Sequence, residues 1–189
     1  MGRRVRWLVI GAAALAIAGA VAAVVLIEPD LSDARDRVDH RWTPLREPLD
    51  ARYQALGGVA TALHDAGEGD RAVTTDLDSV LARWSKLALR GPTHTDPARE
   101  AATANELEAL ARRVRANIAG SDRLTANTAL GAAMGAFDQA VPPAPRAIEA
   151  YNRAVRQYEH ERSGTINRLV AAALGYDART LLVVGRLGP

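Results

Sequence analysis

An uncharged hydrophobic run near the N-terminus constrains this chain more than any other feature. From Trp7 to Ile27 about 21 consecutive residues carry no charge, which is long enough for a helix to cross the roughly 30 Å hydrocarbon layer of a bilayer. A cleaved signal peptide is the alternative, because Ala18-Gly19-Ala20 suits signal peptidase. The run is longer than a secretory apolar region, however, and it continues past that site. We therefore expect an uncleaved transmembrane helix over residues 7–27.

The charges on either side of this run predict its orientation. Arg3, Arg4 and Arg6 precede it, whereas Glu28 and Asp30 open the following segment. The positive-inside rule then places residues 1–6 in the cytoplasm and the bulk of the chain outside, at the cell membrane, with the lipid bilayer as the first partner. Without those three arginines the formal net charge of +2 becomes −1. A nearly neutral domain of this kind is not expected to bind nucleic acid.

The exported part carries helical stripes of apolar residues. After a juxtamembrane link at residues 28–37, apolar residues recur at steps of three and four, and further stripes of the same kind follow. Sustained alternation is absent, and the one short strand candidate is the apolar run Leu181–Val184. The sequence predicts an all-α fold in which the transmembrane helix precedes an elongated antiparallel bundle of about four helices, at residues 38–178, and a tail at 179–189. The first stripe consists of Val38, Trp42, Leu45, Leu49, Tyr53, Leu56, Val59 and Leu63.

Prolines and capping residues predict where the helices begin and break. Pro44 and Pro48 lie inside the first stripe, and each removes a backbone hydrogen bond, so we expect a kink or restart near residues 43–48. Asp96 is placed to cap a helix that has Pro97 at its first position. Pro142, Pro143 and Pro145 are expected to separate the last two long helices.

Several local patterns, in order along the chain, resemble the LemA family of bacterial membrane-anchored helical proteins. Residues 41–59 resemble its first long helix, 124–127 its Leu-Lys-Ala-Asn signature, 151–158 its Tyr-Asn-x-x-Val pattern, and 169–176 its Ile-Ala-Gly-x-x-Gly-Phe ending. The chain departs from the family at Ala51, Gly57-Gly58 and Pro142-Pro143. The resemblance implies a single-pass anchor with an elongated bundle and no established enzymatic activity. The motif residues it singles out are Trp42, Leu124, Asn127, Tyr151, Asn152, Val155 and Tyr158.

The sequence contains no recognised catalytic, cofactor-binding or metal-binding pattern. Cysteine is absent, which excludes thiolate chemistry. Glu159-His160-Glu161 is the densest set of potential ligands, but a zincin helix needs a second histidine where Gly164 stands. Tyr151 and Tyr158 lie on one helical stripe and are expected in the core. Asn152, one step off that stripe, is expected to bond a neighbouring helix and fix its register.

These observations lead to three functional hypotheses. The first is a non-enzymatic interaction or scaffolding module of the cell envelope that has a protein partner, with homo-oligomerisation left open. The second is an extracytoplasmic sensor that binds a small ligand between helices and relays the change through the Pro44/Pro48 region. The third is an enzyme with an unrecognised site that involves Glu159 or His160.

Overall fold

The computed structural model describes residues 3–90 and 96–184, with side chains described from residue 24 onward within those ranges. In this part of the chain there are seven helices and no strand, so the predicted all-α class is confirmed. The helices are α1 (Arg3–Asp65), α2 (Ala72–Ala88), α3 (Pro97–Ala119), α4 (Asp122–Thr125), α5 (Thr128–Gln139), α6 (Pro145–Arg162) and α7 (Thr165–Ala173).

Helix α1 is a single helix of 63 residues that joins the predicted anchor to the bundle. The predicted juxtamembrane link at residues 28–37 is helical. The helix continues through Pro44 and Pro48, so of the kink or restart expected near residues 43–48, the restart is wrong. The carbonyls that the two prolines leave unbonded belong to His40 and Pro44, which are both exposed. Water can satisfy those carbonyls, while the predicted apolar stripe is buried along the helix.

The first three helices alternate in direction. Polar contacts between α1 and α2 run in opposite order along the two helices and join Asp50 to Trp84 and His64 to Asp78. Contacts between α2 and α3 reverse in the same way and join Asp76 to Arg113 and Arg83 to Glu106. Asp96 caps α3 as predicted, because its carboxylate accepts the Arg99 N–H at 3.2 Å.

Helices α5 and α6 together occupy the fourth position of the bundle. Both pack against α1, one after the other, and the proline-rich stretch between them ends α5 and supplies Pro145 as the first residue of α6. The main apolar core lies between α1, α2, α3 and the α5–α6 pair. Its largest fully buried side chains include Trp42, Tyr53, Phe137, Tyr151 and Tyr158.

The predicted membrane span falls mostly outside the part of the chain whose side chains are described. The side chains of residues 7–23 lie outside the described part, and the span over 7–27 stays a prediction. Among the residues that the structure does describe, no helix contains a stretch long and apolar enough to cross a membrane.

Candidate functional site

The C-terminal segment, residues 177–184, is extended and lies between α3 and α6. It includes the apolar run that the sequence marked as a strand candidate, but it pairs with no strand. Leu182 is buried in the main core, whereas Leu181 and Val183 on either side of it are exposed. This alternation is what an extended chain produces when one of its faces is covered.

Two asparagines bind the main chain of this segment from opposite sides. On α6, the Asn152 side-chain amide donates to the Leu182 carbonyl and accepts from the Leu182 N–H, both at 2.8 Å. On α3, the Asn105 amide donates to the Leu181 carbonyl at 2.8 Å and accepts from the Val183 N–H at 2.6 Å. The expectation that Asn152 bonds a neighbouring helix is therefore wrong, because its partner is the extended segment.

Tyr151 and Tyr158 combine a buried ring with a hydroxyl that reaches the C-terminal segment. Both side chains are fully buried on the predicted stripe. The Tyr151 hydroxyl donates to the Thr180 carbonyl at 2.8 Å, and the Tyr158 hydroxyl donates to the Asp177 carbonyl at 3.0 Å. Burial raises the pKa of both phenols above the ordinary value of a tyrosine, so both remain donors at neutral pH.

Arg179 is the charged contact between the segment and the bundle. Its guanidinium donates to both carboxylate oxygens of Asp39, at 2.9 and 3.2 Å. The main-chain N–H of Arg179 donates to the Glu159 carboxylate at 2.7 Å. Burial raises the pKa of the Asp39 carboxyl, and Arg179 opposes that rise. Glu159, one of the potential ligands in the sequence, is thus engaged by the segment and by Arg162, whereas His160 is exposed.

A buried ion pair joins α1 to α3 in the core. Arg52 Nε lies 2.7 Å from Glu108 Oε1, and a second guanidinium nitrogen donates to Oε2 at 3.3 Å. The same guanidinium donates to the Phe137 and Ala140 carbonyls and lies over the Phe137 ring, 4.0 Å from its centroid. Arg52 therefore joins α1, α3 and the end of α5, and its charge is satisfied by several partners.

Trp42, a residue of the family resemblance, lies in a second buried polar cluster. Its indole N–H donates to the Glu100 carboxylate, which also accepts from Arg46 Nε at 3.0 Å. Trp42 stacks on Tyr151 in a tilted arrangement, with the ring centroids 5.0 Å apart. Burial raises the pKa of the Glu100 carboxyl above its ordinary value, while Trp42 and Arg46 counteract part of that rise.

The remaining residues of the family resemblance have local structural positions. Leu124 and Val155 are buried in the main core. Asn127 is the N-cap of α5, and its side-chain oxygen accepts the Leu130 N–H at 3.0 Å. None of these three contacts the C-terminal segment through a hydrogen bond in the described structure.

An open apolar cavity of about 350 Å³ adjoins the C-terminal segment. Pro142, Pro143, Pro145, Ile148 and Val184 form its apolar walls, and Asn152 and Arg156 add polar groups. Val141, immediately before the first of these prolines, is 77% exposed. The cavity is large enough to accept a small molecule or a side chain of another protein.

A second apolar surface, the α7 patch, lies where α7 packs against α1 near residues 24–31. Val170 and Ala171 on α7 are buried against Leu31 of α1, and Val24 and Ile27 pack against the same cluster. Five large apolar side chains in the two chain segments that make this contact are exposed, and these define the patch: Val25, Leu26, Ile166, Leu169 and Leu174.

Comparison with known proteins adds no family or function. No family model, no curated protein and no solved structure matches the chain. The resemblance to the LemA family therefore stays a prediction. In the described part of the chain, acidic and histidine side chains form no group of three or more that could hold a metal ion.

The residues that hold the C-terminal segment from α1 and α3 were not predicted from the sequence. Asn105 and Asp39 lie outside the apolar stripes, and their partners are more than seventy residues away in sequence. The sequence feature that pointed to this segment was the apolar run Leu181–Val184, because an apolar run is expected to bury at least one of its side chains.

Proposed function

We propose that this chain is a single-pass membrane protein of the cell envelope whose external helical bundle is an interaction module without catalytic activity. In this proposal residues 1–6 are cytoplasmic and residues 7–27 span the bilayer. The observation that carries it is the α7 patch, because exposed apolar side chains lie both at the end of the predicted span and on α7, which packs against that end. Apolar patches on a protein surface mark contacts with membranes or other proteins.

The exposed side chains of the patch are placed where they could enter the membrane next to the predicted anchor. Ile166 and Leu169 are 58% and 68% exposed on α7, whose other face packs on α1 just outside the span. Insertion of such side chains at the headgroup boundary contributes up to about 1.5–3 kcal/mol for each one that is fully buried. The bundle would then contact the membrane through α7 as well as through α1, which restricts its tilt.

The membrane proposal is tested by extraction and by labelling. Because the chain has no cysteine, single cysteines introduced at Gly2 and at Glu47 can be probed in intact cells with a membrane-impermeant maleimide. We expect Glu47→Cys to be labelled and Gly2→Cys to be protected, and the chain to resist alkaline extraction. Release by alkali would contradict the anchor, and the reverse labelling pattern would contradict the orientation.

The interaction role is tested by photo-crosslinking in cells. A photoreactive residue at Val141 or Glu149, beside the apolar cavity, should give discrete adducts with a partner protein. The matched control is Ser85, an exposed position on α2, which should give none. Equal crosslinking from all three positions, or none from any, would contradict an interaction surface at this cavity.

A small-ligand sensor is the second candidate, and the 350 Å³ cavity favours it. Its volume lies in the range of small-molecule sites, and Asn152 and Arg156 supply the polar groups that orient ligands. A panel of envelope metabolites should then raise the melting temperature of the full chain, and Ile148→Glu should abolish the rise. Absence of any stabilising compound in such a panel favours the interaction module.

A further inference from the structure

The main chain of the C-terminal segment is bound on both edges, as in the centre of a sheet. In an extended chain, the N–H and C=O of one residue point to one side and those of its neighbours point to the other. Asn152 takes both groups of Leu182, while Asn105 takes the Leu181 carbonyl and the Val183 N–H. The two side-chain amides thus replace two neighbouring strands, and these contacts do not depend on which side chains the bound segment carries.

Two side chains of the segment make contacts that do depend on sequence. Leu182 enters the main core and is 1% exposed. Arg179, three residues earlier, pairs with Asp39 on α1, and its guanidinium is largely buried. The groove between α3 and α6, with the adjoining part of α1, therefore favours an arginine followed three residues later by a leucine.

A glycine turn joins the segment to α7. Gly175 has a φ of +69°, a conformation that glycine adopts without strain, and it ends the turn after α7. The last turn bond before the segment runs from the Tyr176 N–H to the Ala171 carbonyl. From Asp177 to Val184 the described contacts of the main chain are made with side chains and not with other main-chain groups.

We propose that the groove between α3 and α6 is a binding site for an extended segment of a partner protein that carries an Arg-x-x-Leu sequence. The chain's own residues 177–184 occupy the site when the partner is absent. Main-chain bonds would supply affinity, while Asp39 and the leucine pocket would supply specificity. This inference names the partner class for the proposed interaction module, but it does not require the membrane anchor.

The tethered segment competes with any partner. A segment joined to its groove by a short connection has an effective concentration in the millimolar range. A free peptide of the same sequence should therefore bind the wild-type chain weakly and bind much better once the tethered segment is weakened. This competition makes the inference measurable without knowledge of the partner.

The experiment uses the full chain in detergent and a fluorescent synthetic peptide with the sequence of residues 176–184. Fluorescence anisotropy is measured for the wild-type chain and for a chain carrying Arg179→Glu and Leu182→Asp. The substituted chain should bind the peptide at least about tenfold more tightly, because its own segment competes poorly. The extraction and labelling experiments test the anchor separately, so failure of one proposal is distinguishable from failure of the other.

Matched variants show whether the peptide occupies the groove. Adding Asn105→Ala and Asn152→Ala to the substituted chain should lower peptide affinity about tenfold or more, whereas Asn117→Ala, on the same helix α3, should have no effect. A peptide with the arginine and leucine replaced by glutamate and aspartate should not bind. Circular dichroism checks the fold, and Arg179→Ala alone serves as the milder opening variant if the double substitution unfolds the chain.

Three outcomes would overturn the proposal. Peptide binding to neither the wild-type nor the opened chains would exclude a groove that acts between molecules. Binding that is insensitive to both asparagines would place the peptide elsewhere. A wild-type dimer that Leu182→Asp dissociates, without any peptide binding, would assign the groove to the segment of a second copy.

Discussion

Polar contacts hold both the bundle core and the C-terminal segment, but the two regions use different chemistry. In the core, Arg52 and Glu108 form a charged pair whose side chains are 4% and 0% exposed. At the segment, Asn105 and Asn152 make neutral contacts with the main chain, and both asparagines are partly exposed. Arg179 and Asp39 form the one charged link between segment and bundle in the described structure, and Asp39 is 32% exposed.

The difference indicates which contacts cost more to break. Separating Arg52 from Glu108 would leave an uncompensated charge in a region that water does not reach, which is strongly unfavourable. Removing the segment would return Asn105 and Asn152 to water, where each amide finds new partners. Breaking the Arg52–Glu108 pair is therefore expected to cost more than breaking the contacts of the two asparagines.

The largest expected effect is at the core ion pair. Arg52→Met leaves Glu108 buried without its partner, so the free energy of unfolding should fall by about 3–5 kcal/mol. Urea unfolding followed by circular dichroism measures this change. Arg83→Met, which breaks the exposed pair with Glu106, is the control and should cost about 0–1 kcal/mol.

A double substitution separates the energy of the pair from the cost of an unpaired charge. Arg52→Met combined with Glu108→Leu removes both charges, and much of the lost stability should return. If the double variant were as unstable as the sum of the two single ones, the buried charge would not be the cause. The contrast with the C-terminal segment would then lose its physical basis.

The next largest effects on stability are expected at two buried leucines. Leu107, on α3, and Leu182 are 0% and 1% exposed. Leu107→Ala should lower the global free energy of unfolding by about 2–5 kcal/mol. Leu182→Ala should instead speed hydrogen exchange of the amides in residues 177–184, with a smaller shift in the global urea midpoint, because the segment opens on its own. Equal shifts in the global midpoint would show that the segment and the bundle unfold as one unit.

The sequence predicted what local periodicity controls and missed what long-range contacts decide. The stripe from Val38 to Leu63 is buried as expected, since steps of three and four repeat on one helix face. Continuity through Pro44 was not predictable, because it depends on which carbonyls face water. The partner of Asn152 lies thirty residues along the chain, beyond the reach of helical spacing.

The pH dependence of stability tests the second charged cluster of the core. Burial raises the pKa of Glu100 in the folded state, so the folded chain binds more protons than the unfolded chain just above the ordinary glutamate pKa. The contribution of Glu100 is therefore fully present below that ordinary value and is lost as pH rises through the raised pKa, with a slope of at most about 1.4 kcal/mol per pH unit.

Glu100→Gln should flatten this slope, because the amide oxygen can still accept from Trp42 but does not ionise. Urea midpoints measured between about pH 4 and pH 7 give the slopes of both chains. Some slope should remain, since burial also raises the pKa of Asp39. Identical slopes for the two chains would remove Glu100 as a source of pH dependence.

The smallest effects are expected at two asparagines that bind the main chain, one of a residue near in sequence and one of a residue distant in sequence. Asn127 caps α5 through the Leu130 N–H, three residues away, so Asn127→Ala should lower the global free energy of unfolding by about 1 kcal/mol. Asn152→Ala should barely change the global value but should speed amide exchange at Leu182, whose N–H it binds. The opposite result, with global loss from Asn152→Ala and none from Asn127→Ala, would mean that the segment is as fixed as the helices around it.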